Sequence, residues 1–153
     1  MIVSPYRERI YKAAAAANLD PFVFESLVIQ ESASRADAFR FEPGFWDRYL
    51  KDHPAYRLAV PRRVASSYGL TQVMYTTAVE HGYKGEPEGL FDIEVNLALG
   101  AMILSRLVQW AEGDYRKALA AYNGGKGNWK AERPQRYAAE VLDRAVRLAP
   151  PLV

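Results

Sequence analysis

The sequence contains no cysteine, which excludes a disulfide framework and any thiolate metal site and leaves stability to packing. It has no long hydrophobic run either: nothing approaches the roughly 18 apolar residues of a membrane span. The opening "MIVSPYRERIYK" lacks an unbroken apolar stretch, so no signal peptide is expected and another route to any extracellular target would be required. Charge of one sign is scarce. Against 20 basic residues stand 18 acidic ones, a formal net charge of +2, too balanced for a dedicated nucleic-acid binder. The two histidines, His53 and His81, are far apart in the chain and form no ligand pair at helical spacing, so no metal site is expected. The acidic run "GEPEGLFDIE" (85–94) lacks the alternating oxygen ligands of a calcium loop. No G-x-S-x-G turn announces a serine hydrolase.

What is present suits a single domain over residues 1–153. Half of the residues are hydrophobic and 12% aromatic, enough for a core that folds unaided. Glycine and proline are scattered, and no repeat or low-complexity tract interrupts the chain. Basic residues gather at 61–64 and again from Lys126 to Arg147. Solvated helix faces account for them more readily than a surface for an anionic polymer.

Helical periodicity dominates. Ser4 and Pro5 suit the start of a helix to about Ala17, and Asp20 with Pro21 starts a second. Pro43 marks a short helix; residues 53–64 read as surface loop with one helical turn at most. Leu70 to Glu80 reads as a helix with Leu70, Val73, Met74, Thr77 and Ala78 inside and Gly82 as its stop. Asp92 opens the longest helix, apolar almost all round, which predicts a buried position at the centre of a bundle. Asp114 caps a helix ended by Gly124 and Gly125, and Pro134 to Leu148 forms the last. No segment alternates convincingly with period two, so the expected class is mainly α, with at most a small β-hairpin between 32 and 67.

One residue conflicts with this pattern. In "SLVIQES" (26–32), Glu31 falls at i+7 from Phe24, on the face that also carries Leu27 and Val28. A carboxyl group among apolar side chains resists ionisation, and a raised pKa makes it a proton donor near neutral pH. Glycoside cleavage needs such a general acid. A glutamate near a helix C-terminus can equally send its head to solvent, and helix geometry alone favours that simpler reading.

Three separated motifs shift the balance: "ES" at Glu31 and Ser32, "YGLTQVM" at 68–74 and "AYNGG" at 121–125, with "DIEVNLALGAMILSRLV" between the last two. In this order they resemble the soluble-type lytic transglycosylases of the lysozyme-like superfamily, whose signatures are ES, GLMQ and AYNAG around a long central helix bearing an asparagine before an L-x-x-G step. The resemblance covers about residues 20–128. It implies a lysozyme-like helical domain in which Glu31 is the single catalytic acid and base, and Ser32, Gln72, Met74, Tyr122 and Asn123 line the saccharide site. Tyr122 and Asn123 are expected beside Glu31, where a tyrosine hydroxyl can orient a carboxyl group. Taken alone, "AYNGG" would be an ordinary aromatic followed by a helix stop, and Met74 lies between cleft wall and core filler.

The implied reaction cuts the β-1,4 bond between N-acetylmuramic acid and N-acetylglucosamine in peptidoglycan and leaves a 1,6-anhydro end. It needs no cofactor. The implied partners are peptidoglycan glycan strands, met by a monomer without nucleic acid or membrane span, and the implied place of action is the bacterial cell wall. Thr71 replaces the methionine of GLMQ, Tyr75 stands where proline is common, and the stretch from Glu31 to Gln72 is longer than usual. The additional residues, with "RFEPGFWDR" among them, look like variants in phage-associated transglycosylase domains and would lie beside the cleft. Glu42 is the candidate second carboxylate there. If it faces Glu31, water becomes the acceptor and the enzyme a muramidase. An inactive glycan-binding helical module and, on Arg62, Arg63 and the basic last helix alone, a DNA-binding domain are the remaining alternatives.

Overall fold

The computed structural model describes residues 2–152. These described residues form eight α-helices and a small antiparallel sheet: α1 (Arg7–Ala16), α2 (Pro21–Ser32), β1 (Phe39–Phe41), α3 (Pro43–Phe45), α4 (Pro61–Val64), β2 (Ser66–Tyr68), β3 (Val73–Met74), α5 (Tyr75–Glu80), α6 (Ile93–Trp110), α7 (Tyr115–Gly124) and α8 (Glu132–Leu148). A π-helical turn, Trp46–Leu50, continues α3, and a 3-10 turn, Pro87–Phe91, leads into α6.

The helix starts follow from their caps. Asp20 accepts from the N–H groups of Phe22 and Val23, Asp92 from Val95 and Asp114 from Lys117, each meeting a donor that the first turn leaves free. Ser4 acts one turn early: its hydroxyl takes the Tyr6 N–H, and α1 begins at Arg7. Gly82 and Gly125 leave α5 and α7 with φ of +97° and +87°, conformations that glycine adopts without a steric penalty.

Helices α1, α2, α6, α7 and α8 enclose the main core, built on Ile10, Phe24, Leu27, Leu97, Leu104, Leu119 and Val141. The central helix α6 is less enclosed than its composition predicts. It packs on α1, α7, β3 and the 3-10 turn, but Val95, Ala98, Arg106 and Gln109 stay exposed. Two smaller clusters lie beyond: one joins the sheet to the 3-10 turn through Tyr68, Val73 and Leu90, and the other, Leu50, Val64 and Ala65, fills the segment between β1 and β2.

The helix expected over Leu70–Glu80 begins only at Tyr75. Before it the chain forms β2, a tight turn and β3, with Gly69 at φ +71° and Gln72 at +52°. A turn of this kind has a long-range cause that local spacing does not carry. The small hairpin is likewise a three-stranded sheet, order β1-β2-β3, reaching past residue 67 to Met74.

That sheet separates two environments. Its register aligns Phe39, Tyr68 and Val73 in one cross-strand row and Arg40, Ser67 and Met74 in the next, and alternate residues of a strand face opposite sides. In the first row Tyr68 and Val73 are buried, and the Tyr68 ring meets those of Phe39 and Phe91 at 5.2 and 5.1 Å. The second row forms part of a cleft.

Candidate active site

Helix α2 carries two carboxylates that the fold treats differently. Glu25 is fully buried and fully matched: it accepts from the Ser4 N–H at 2.9 Å, the Tyr11 hydroxyl at 3.0 Å and the Arg7 guanidinium at 2.9 Å. Such matching is what makes a buried charge tolerable. Glu31, partly buried near the C-terminal end of the helix, has no cation within salt-bridge distance among the described residues. Its Oε2 accepts one hydrogen bond, 2.6 Å, from the Tyr137 hydroxyl of α8.

Desolvation pushes the Glu31 carboxyl up to about 7, against the opposing pulls of the Tyr137 hydrogen bond and the more distant Arg40. The group is therefore poised between acid and base at neutral pH. The same burial and the neighbouring Glu31 charge raise Tyr137 well above the usual tyrosine range, so the phenol stays a donor.

Glu31 opens into a cleft of about 420 Å³, which Glu42, Gln72, Met74, Tyr122 and Asn123 also line. Five of the sequence-predicted residues thus meet Glu31 in one cavity. Ser32 does not reach it. That side chain is 7% exposed, and its hydroxyl returns 3.0 Å to the Val28 carbonyl of its own helix, so the "ES" serine serves helix α2 and not the cleft. Tyr122 lines the cleft with a different partner from the expected one: its hydroxyl donates to the Thr71 carbonyl at 2.7 Å. The tyrosine bonded to Glu31 is Tyr137, which sequence reasoning missed. Arg40, Asn128 and Arg133 also line the cleft unforeseen. The one signal for Tyr137 was its place on the apolar face of the last helix, a face that contributes core residues in the same way.

Gln72 is positioned by a buried knot. Asn96 of α6, 1% exposed, accepts from the Thr71 N–H at 2.9 Å and the Thr71 hydroxyl at 2.7 Å, and donates to the carbonyls of Tyr68 and Leu90, both at 2.8 Å. Every hydrogen-bonding site of the amide is committed across the β2–β3 turn. Close approach requires two glycines: a Cβ on Gly69 would lie 2.6 Å from the Asn96 amide nitrogen, and one on Gly100 would lie 2.5 Å from the Thr71 methyl. The "NLALG" step of α6 is thus a socket for "GLTQ", and Thr71 provides a hydroxyl that methionine would lack. With its backbone held, Gln72 donates through Nε2 to the Ala38 and Gly69 carbonyls, and its amide oxygen remains for a ligand.

Glu42 shares the cleft but is bound to Arg40, Nε to Oε1 at 3.0 Å. No group of three or more His, Asp or Glu side chains among the described residues gathers as a metal site.

Residues 8–143 match the family model described as the transglycosylase SLT domain. No curated protein matches the chain. Among solved structures, the fold is similar to that of the 70 kDa soluble lytic transglycosylase SLT70 from Escherichia coli, with a TM-score of 0.68 at 19% identity, covering 92% of this chain and 23% of that one. It is similar also to an inactive mutant of the lytic transglycosylase Slt from Pseudomonas aeruginosa, with a TM-score of 0.66 at 22% identity, covering 94% of this chain and 24% of that one. The chain therefore spans about a quarter of the length of these two relatives.

Proposed function

The chain belongs to the transglycosylase SLT domain family, and from that premise we propose that it is a peptidoglycan-cleaving lytic transglycosylase with Glu31 as its single catalytic acid and base. The observation that carries this reading is the Glu31 carboxyl, raised to about 7 by desolvation and facing a polar cleft. Because Tyr137 donates to Oε2, the proton of the neutral acid belongs on Oε1.

In the first step Glu31 gives that proton to the oxygen linking N-acetylmuramic acid to N-acetylglucosamine, and the C1–O bond breaks. The acetamido oxygen of the same muramic residue shares the positive charge at C1. The Glu31 carboxylate then takes the proton of the C6 hydroxyl as that oxygen closes on C1, giving the 1,6-anhydro ring and returning the acid to its starting form. An attacking hydroxyl within the same sugar has the advantage of an intramolecular reaction and needs no positioned water. Gln72, Met74, Tyr122 and Asn123 form the walls that hold the strand.

Glu31→Gln keeps the shape and removes the proton. Clearing of purified cell walls is expected to slow by about 10²–10⁴-fold; near-normal clearing would refute the role, and loss of clearing by the parent protein too would favour a binding module. One observation favours the hydrolytic alternative, namely that Glu42 lines the same cleft. The Arg40 pairing argues for a surface ion pair instead, so Glu42→Gln is expected to retain most of the activity.

A further inference from the structure

The cleft continues past Glu31. Gln72, Met74, Tyr122 and Asn123 line both the Glu31 cavity and an adjoining lobe of about 550 Å³, whose far end is formed by His81, Arg106 and Lys126. Three elements meet there: the end of α5, the exposed side of α6 and the turn after α7.

Arg106 is held in an unusual way. Its Nη1 lies 2.6 Å from Nδ1 of His81. A guanidinium can only donate, so the imidazole nitrogen accepts and the ring is neutral. Burial and the nearby Arg106 charge lower the His81 pKa, in accord with that state. Arg106 is thus oriented without being neutralised. Among the described residues no carboxylate lies within salt-bridge distance of Arg106 or Lys126. The Lys126 ammonium lies over the Trp110 ring, Nζ 5.5 Å from its centroid, a cation–π contact that places the charge without neutralising it. Glu80 is the single acidic residue in the lining, so cations are in excess.

We propose that this lobe is a binding site for a carboxylate of the peptide stem that branches from the glycan strand, with Arg106 and Lys126 as its ligands and His81 as the positioning residue for Arg106. The proposal rests on the lytic transglycosylase reading of the Glu31 cavity. In peptidoglycan the lactyl carboxyls of the muramic residues are tied up as amides, so the glycan chain itself offers the lobe no negative charge, whereas the stems attached to them end in carboxylates and branch away from the strand. A fork-shaped donor held by a neutral acceptor suits a planar carboxylate. Glu80 stands where an amino group of the same stem could be met.

The test compares intact peptidoglycan with the same strands stripped of their stems by an amidase, the lactyl carboxylates thereby freed being converted to methyl amides, for the parent, Arg106→Gln/Lys126→Gln and Arg106→Lys. The parent is expected to show a lower KM on peptide-bearing strands. The double variant is expected to lose about tenfold of that preference through KM, with kcat little changed, while Arg106→Lys keeps part of it. Titration of the full chain with a synthetic stem tetrapeptide, followed by NMR, needs no catalysis: shifts at the lobe are expected in the parent and weakened in the double variant. Equal KM for both substrates in the parent, or an equal loss on both in a folded variant, would overturn the lobe assignment. Absence of cleavage of either substrate, with tetrapeptide binding intact, would overturn the transglycosylase reading alone.

Discussion

Glu25 and Glu31 occupy one helix and differ in what surrounds them. Glu25 meets a guanidinium, a hydroxyl and a backbone N–H. Glu31 has one phenol and is raised to about 7 by burial. The sign of the consequence is fixed: the native state favours protonated Glu31, so its ionisation costs stability as pH rises from the ordinary carboxylate range through about 7. Glu31→Gln should therefore melt higher than the parent at pH 8, by about 3 kcal/mol in stability, and no differently near pH 4; thermal melts at both values check it. Cleavage requires the protonated acid, so kcat/KM should fall as pH rises through about 7. The Tyr137 hydrogen bond stabilises ionised Glu31, so Tyr137→Phe should move that alkaline limb upward by about one pH unit and slow cleavage about tenfold. An unmoved limb would show that the phenol does not act on the acid. The sequence made Glu31 legible because a carboxylate in an apolar stripe is conspicuous. Tyr137 was not, since an aromatic on a helix inner face looks the same whether it fills a core or serves an acid.

Elements were read well where their determinants are local. Asp20, Asp92 and Asp114 cap the helices they were expected to cap. Residues 70–74 read as the start of a helix because their apolar spacing fits one, but the determinant is Asn96, on another element. Truncating Asn96 to Ala would strand two donors and two acceptors in the core. We expect a loss of about 3 kcal/mol in denaturant unfolding together with a larger loss of activity than of stability, because Gln72 loses its mount. Gly100→Ala should cost about 1–3 kcal/mol by pressing a methyl into Thr71. On α1, Arg7→Met leaves Glu25 with its hydroxyl and N–H partners only. A loss of about 3 kcal/mol is expected, and a melt unchanged from that of the parent would show that the pair is not stabilising.

At the scale of the molecule, a helical bundle presents α2 and α8 with the acid, and the sheet opposes them with the Arg40–Ser67–Met74 row. Composition and periodicity made the bundle readable; the shape of the cleft depended on strand register, which three-residue strands scarcely encode. The 42–64 segment builds its own small core around Leu50, Val64 and Ala65 and sends Phe45 over the far lobe, which makes it part of the groove wall. The central claim, that one carboxyl group both gives and takes the proton, is tested most directly by mass spectrometry of the glycan ends released from purified peptidoglycan. The account predicts 1,6-anhydro ends, one water lighter than hydrolytic ends, formed by the parent and by Glu42→Gln but not by Glu31→Gln. Reducing ends alone, abolished by Glu42→Gln, would contradict it.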